Sequence, residues 1–286
     1  MSALELTVYD DARRFAADAG AFLRAEEAAN SMIAVPAARI ASKPNDDDDG
    51  SYMALVRDGV TVVAAAFHGA SGGMLLTAAP DEAVALFAAD LAARRRRPKG
   101  VVGPRSACEA FAGVWREYTQ QTCTLRYHLR HFELTTVPAR ATSAGRMRLP
   151  DEGESALLAQ WQLAFTDELA IPDDRERGRR NLEQRVSRGL IRVWDDVGAV
   201  AFAGFGEATD IARIAPVYTP PQLRRRGYAS ALVSALAREL LAGGKRAIFL
   251  TTDAANPTSN AIYERIGFLP VADHYHFEIV EAEASA

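Results

Sequence analysis

Two stretches of the sequence carry residue types at spacings suited to chemistry. The first, Ile211–Leu241, reads IARIAPVYTPPQLRRRGYASALVSALARELL. An apolar strand runs to Thr219, and Pro220 and Pro221 cannot donate ladder hydrogen bonds, so pairing stops there. Arg224, Arg225, Arg226, Gly227, Tyr228 and Ala229 then open a helix whose buried stripe is Leu232, Leu236 and Leu240. N–H groups at such a turn have no intrahelical partner, and the small residues Gly227 and Ala229 let a ligand approach the backbone. The helix dipole and three arginines add positive potential, which together favours a pyrophosphate. The plainer reading is a helix start with solvated arginines.

The second stretch, Leu250–Pro270, reads LTTDAANPTSNAIYERIGFLP. Asn256 before Pro257 is a good N-cap with proline at the first helical position, and Gly267 suits the residue after the helix. Asn256, Ser259 or Asn260, and Tyr263 share one helical face, a row of polar groups that ends in a phenol. Read plainly, Tyr263 is an amphipathic core residue with its hydroxyl at the surface.

Together the stretches resemble the GCN5-related N-acetyltransferase (GNAT) family. Its Q/R-x-x-G-x-G/A pattern is met by Arg224, Gly227 and Ala229, and its later N-x-x-S/A-x-x-x-Y-x-x-x-G-F pattern by Asn256, Ser259, Tyr263, Gly267 and Phe268. Both occur in the family's order, and the resemblance covers Arg146–Ile279. It implies a mixed sheet that splays in a V between its fourth and fifth strands, here 212–219 and 247–252, with acetyl-CoA as co-substrate in the gap and no metal. The resemblance places pantetheine along Val217, Tyr218 and Thr219, with one N–H, that of Val217, polarising the thioester carbonyl. It places the pyrophosphate on the amides of Arg225, Arg226, Gly227, Tyr228, Ala229 and Ser230, and turns Asn256 and Ser259 toward the CoA arm. Tyr263 would protonate the departing thiolate. For the base that relieves the amine of its proton, Glu168 and Asp253 are candidates, Asp173 and Asp174 weaker ones, and a water chain would replace them all. The acceptor is an unidentified primary amine.

Positioning these groups requires a strand before the turn, a long helix over Gln222–Ala242, a strand over Ala247–Thr252 and a short helix over Asn256–Ile266. Upstream, Asp151–Leu169 reads as a helix whose Leu158, Trp161 and Phe165 share one face, followed by a charge-laced helix over Asp173–Arg188. The first half reads in a similar order: a strand over Leu4–Tyr9, a helix over Asp11–Glu27 and then a loop that includes four consecutive aspartates. A hairpin turns at Asp58-Gly59, and strands and helices continue to a long strand over Thr122–Leu134. Where the phosphate turn would fall, this half has Asp81 and Glu82, which repel an anion. The expectation is an α/β protein (α+β by some conventions) of two GNAT-like domains, each a mixed, mostly antiparallel sheet flanked by helices. Residues 1–140 form the degenerate domain and residues 141–286 the catalytic one, joined by the linker TVPARATSAGR.

Composition bounds the rest. The chain has 286 residues, 49% hydrophobic and 24% charged, an ordinary balance for a folded globular protein. No apolar run reaches the ~18 residues of a membrane helix, and the acidic N-terminus is unlike a signal peptide. A net charge of −4 disfavours nucleic-acid binding, and Arg94–Arg97 is read as capping its helix rather than as a phosphate patch. Cys108 and Cys123 form no metal motif, and His128 and His131 would point to opposite faces of one strand. The expectation is a cytoplasmic monomer or homodimer without membrane or nucleic-acid partners. The rival to an N-acetyltransferase is a non-catalytic acyl-CoA-binding regulatory protein.

Overall fold

The computed structural model describes residues 3–42, 50–69, 73–138, 143–168 and 175–281, so the tetra-aspartate run, Asp173 and Asp174 lie outside the described residues. In chain order the elements begin with β1 (Leu4–Tyr9), α1 (Ala12–Ala25), α2 (Glu27–Ala41), β2 (Tyr52–Asp58), β3 (Thr61–His68), β4 (Met74–Leu76), α3 (Asp81–Ala93), β5 (Gly100–Gly103), α4 (Arg105–Thr119) and β6 (Thr122–Leu134). They continue with β7 (Arg146–Arg148), α5 (Ser155–Glu168), α6 (Arg175–Ser187), β8 (Ile191–Asp195), β9 (Ala199–Ala208), β10 (Ile211–Tyr218), α7 (Tyr228–Ala242), β11 (Ala247–Asp253), α8 (Pro257–Ile266) and β12 (Leu269–Val280). This is the α/β architecture expected, with mixed, mostly antiparallel sheets flanked by helices.

Packing divides the chain into two units. One comprises Met1–His131, Thr252–Ala255 and Val271–Ala286; the other comprises Phe132–Thr251 and Asn256–Pro270. Within this division most of the chain's last strand, from Val271, groups with the first unit. The reason is the ladder: β12 pairs antiparallel with β5, Tyr275 opposite Gly103 and Phe277 opposite Val101, and a strand belongs with its hydrogen-bond partners wherever it lies in the chain.

In the first unit β2 is buried on both faces. Tyr52, Ala54 and Val56 pack with Phe87 of α3 and Phe111 and Trp115 of α4, while Met53 and Leu55 pack with Phe15 and Leu23 of α1 and Ile33 of α2. Alternate residues of a strand point to opposite faces, so one apolar run serves two helical layers. Phe277 of β12 joins the first of these cores. A Cβ on Gly100 would lie 2.6 Å from both His276 Nε2 and Phe277 O, so only glycine lets β12 approach β5 this closely. The loop expected after Glu27 is instead partly helical: α2 carries Pro36 inside it and presents Ile33 and Ala37 to the core. His128 stacks on Tyr275 and His131 meets His274 edge-on, consecutive residues of β12, which agrees with the two histidines facing opposite ways. Arg94 caps α3 and pairs with Asp90 at 2.7 Å.

The second unit packs α7 and α8 on one sheet face and α5 and α6 on the other. Leu232, Leu236 and Leu240 meet Ala212, Ile214, Ile248 and Leu250, together with Phe132 and Leu134 from the end of β6. On the opposite face Leu158 and Trp161 pack with Leu182, Phe202 and Tyr218. The helix expected from Gln222 begins later, at Tyr228; Pro221–Leu223 is a single 3-10 turn. Arg225 and Gly227 have φ of 63° and 81°, left-handed conformations that a right-handed helix cannot include.

Candidate functional site

The site is built at the end of β10. Its antiparallel register with β9 runs Ile214 opposite Phe205 and then Val217 opposite Ala203, so Ala215 and Pro216 together oppose Gly204 in a bulge. On its other edge β10 pairs parallel with β11 from Ile211–Ala247 to Arg213–Phe249, while β10 itself runs on to Tyr218 and β11 to Asp253. This is the expected V-shaped splay: beyond Arg213 the two strands no longer share ladder pairs. Along the gap lie Val217, Tyr218 and Thr219.

After the gap the chain turns through Arg224, Arg225, Arg226 and Gly227. The first intrahelical bond of α7 is Ala231 N–H to Gly227 O at 2.9 Å, so the amides of Tyr228, Ala229 and Ser230 stand at the open end of the helix. Arg224 is extended while Arg225 and Gly227 are left-handed, so the chain turns sharply into the helix, and unpaired amides at a helix N-terminus favour anions. Thr219 Oγ1 is buried and has no hydrogen-bond partner among the described residues. An orphaned buried hydroxyl between an unpaired strand edge and a helix N-terminus fits a polar, anionic ligand such as the phosphopantetheine arm of CoA.

The arginines differ from one another. Arg224 is committed within the protein: its Nε donates to Thr219 O at 2.9 Å and its Nη2 to both oxygens of Glu168, at 2.6 and 2.7 Å. Its guanidinium lies 5.7 Å from the centre of the Tyr218 ring. The Arg226 carbonyl accepts from Ser143 Oγ at 3.2 Å. The Tyr228 hydroxyl donates to Asp196 Oδ2 at 2.5 Å, so this side chain anchors the helix to the β8–β9 turn and only its amide is offered to a ligand.

Asn256 caps α8 by accepting from Ser259 N–H at 3.0 Å, and Gly267, with φ of 110°, ends it. Tyr263 is half-buried, its ring 6.0 Å from those of Phe132 and Phe268, and loss of water pushes its phenol up to about 12. Asp253 groups with the first unit, where Oδ1 accepts from Ala255 N–H at 2.9 Å. The second unit therefore brings together Val217 through Ser230 with Glu168, and carries Asn256, Ser259 and Tyr263 on α8.

Sequence reasoning missed two arginines of the second unit. Arg213 is withdrawn from water, which lowers its pKa to about 10, and donates to Thr251 Oγ1 at 2.6 Å across the start of the gap. Arg185 of α6 donates from Nη1 to Ala215 O in the bulge at 2.9 Å. The signal for the second was Gly204, one of two glycines inside β9, since a glycine within a strand marks a bulge or a close approach. Among the described residues no three His, Cys, Asp or Glu side chains cluster in a way that would hold a metal ion. A groove of about 960 Å³ on the β7 side of α7, lined by Ser143, Arg146, Trp194, Ala231, Ser234 and Arg238 among others, contains none of the residues expected from the sequence to bind or react.

These features define the GNAT fold: a bulged strand, a parted neighbour and a glycine-bearing turn into a helix. Residues 155–268 match the Acetyltransferase (GNAT) family model. Among curated proteins none matches the chain. Among solved structures the chain is similar to a Drosophila protein (TM-score 0.68, 14% identity, 99% of this chain and 100% of that one). It is also similar to a GCN5-related N-acetyltransferase from Sphaerobacter thermophilus (TM-score 0.62, 15% identity, 99% and 98%). A third is a tandem GNAT protein from the clavulanic acid biosynthesis pathway (TM-score 0.57, 15% identity, 99% and 100%). At these identities the likeness is one of fold.

Proposed function

We propose that the protein is an acetyl-CoA-dependent N-acetyltransferase that passes the acetyl group directly to a primary amine. The observation that carries this reading is the run from the β10 bulge to the Arg224–Gly227 turn: an unpaired strand edge leads into unpaired amides at a helix N-terminus. Acetyl-CoA would supply an acetyl group activated as a thioester. The backbone at Val217–Thr219 would pair with pantetheine, and the amides from Arg225 to Ser230 would hold the pyrophosphate. The Val217 N–H would donate to the carbonyl oxygen as it gains charge. Asn256 and Ser259 would line the CoA arm.

Tyr263 would pass its proton to the departing sulfur and recover one from the nitrogen of the new amide. A phenol near 12 holds its proton more tightly than a thiol of about 8.5, so this transfer must be coupled to sulfur departure rather than precede it. Glu168, being held by Arg224, would have to release a bidentate partner to accept a proton from the amine, and Asp253 would have to release an amide. A water path to solvent is the simplest remaining route. With the nucleophile supplied by the acceptor, no enzyme nucleophile is required.

The first unit we read as a degenerate GNAT-like partner, as one of the similar structures is described as a tandem GNAT protein. Its α3, which follows β4, opens with Asp81 and Glu82, whose charge opposes a pyrophosphate there. Cytoplasmic location and a monomeric or homodimeric state, without membrane or nucleic-acid partners, complete the proposal.

The test is to incubate the protein with acetyl-CoA and a panel of amines and to follow free thiol. Amine-dependent release supports the reading. Calorimetric CoA binding with no turnover on any amine would favour the rival, an acyl-CoA-binding regulatory protein.

A further inference from the structure

We infer that Arg185 is a positioning residue for the transfer step, acting through the bulge of β10 without touching substrate. A bulge turns a carbonyl out of its ladder, and a carbonyl so displaced needs another donor. Here the displaced group is Ala215 O, and the donor is Arg185 Nη1 from α6 at 2.9 Å. The residue facing the bulge from β9 is Gly204. A Cβ there would lie 3.0 Å from Arg185 Nη1, 3.1 Å from Ala215 O and 3.1 Å from Ile191 Cδ1. The glycine therefore keeps open the space in which guanidinium and carbonyl meet. Three elements thus converge on one peptide group, and that group lies two residues before Val217.

The consequence concerns the Val217 N–H. Pro216 has no N–H, so in the stretch after Ala215 the first amide available to a ligand is that of Val217. Its direction follows from the pitch of the bulge, and Arg185 fixes that pitch from the Ala215 side. The inference rests on the transferase reading for its kinetic effect, but the geometry it asserts exists without turnover.

The test uses the full chain with Arg185→Gln, Arg185→Lys and Gly204→Ala. Arg185→Gln is expected to bind CoA within about threefold of the unsubstituted protein by calorimetry, while kcat falls about 10- to 100-fold. Arg185→Lys, which keeps a cationic donor, recovers part of that loss. Gly204→Ala, which crowds the same contact, lowers kcat as well, and the double variant Arg185→Gln with Gly204→Ala is no worse than the poorer single one. A kcat for Arg185→Gln within about twofold of the unsubstituted value overturns the inference. Should the protein bind CoA but acetylate nothing, or Arg185→Gln fail to fold, the Val217 amide resonance in Gly204→Ala and Arg185→Lys decides. A shift there upholds the positioning role, and an unmoved resonance in both defeats it. Absence of CoA binding and turnover in the unsubstituted protein defeats the transferase reading instead, and the Val217 resonance still judges Arg185.

Discussion

Arg224 grips both carboxylate oxygens of Glu168, one from the turn before α7 and the other from the last residue of α5. The family resemblance offers these two residues separate tasks, one at the pyrophosphate and one at the amine. In the folded chain they are a single ion pair, with Tyr218 under the guanidinium. The Arg224 and Glu168 side chains are 43% and 44% exposed, so screening limits the pair to about 1 kcal/mol or less of stability.

Glu168→Gln is accordingly expected to leave kcat within about threefold and its pH profile unchanged in shape, with the larger effect on KM for acetyl-CoA. Steady-state kinetics across pH reads both. A kcat loss of about 100-fold or more with a vanished acid limb would return Glu168 to the role of general base.

Tyr263→Phe keeps the ring between Phe132 and Phe268 and removes only the hydroxyl. The variant should bind CoA as the unsubstituted protein does and turn over about 100-fold more slowly. Calorimetry and thiol release together check this, and full turnover would remove the phenol from the mechanism.

In the turn, Arg225 and Gly227 both have positive φ, but only one of them is a glycine. Arg225→Gly should relieve local strain and leave CoA affinity within about threefold, since an amide rather than the side chain is offered to the ligand. Gly227→Val adds a branched side chain at φ of 81° and should weaken CoA binding by about tenfold or more. Calorimetric titration of each variant compares them directly; a larger loss from Arg225→Gly would mean that the guanidinium, not the backbone, carries the contact.

Cys108 is fully buried and its thiol is pushed from 9.0 to about 12, chiefly by desolvation and next by the neighbouring Cys123. The folded state thus holds this proton more tightly than the unfolded chain does. The associated stability is complete below about pH 9 and is lost as pH rises toward 12. Urea titrations from pH 8 to 11 should show this decline, and Cys108→Ala should flatten it. In the native protein at pH 8 a thiol reagent should leave Cys108 unmodified, whereas in denaturant it should react.

What could be read in advance was local. The β10–α7 turn announces itself because Pro220 and Pro221 are restricted and cannot extend the ladder while Gly227 readily takes a positive φ, and α8 is bracketed by the capping side chain of Asn256 and the left-handed Gly267. The splay followed from the resemblance rather than from any local signal. Residues whose roles depend on distant partners were hidden. Nothing near Arg185 in the sequence points to Ala215, and nothing near Glu168 points to Arg224, 56 residues away. The helix α2 escaped because Pro36 reads as a break, whereas burial of Ile33 and Ala37 outweighs the one backbone bond a proline costs. The pairing of β12 with β5 was hidden because hydrophobic patterning shows that β12 is a strand but not which strands it joins.

That last point has a bearing on biosynthesis. Phe277 fills a core whose other fully buried residues lie between Tyr52 and Trp115, and β12 covers the edge of β5. A ribosome delivers residues in order, so the amino-terminal unit must wait, with β5 uncapped, until β12 has emerged. The second unit, complete at Pro270, can settle first. The later-made half would then mature earlier, and the nascent first half would be the segment most dependent on chaperones during translation.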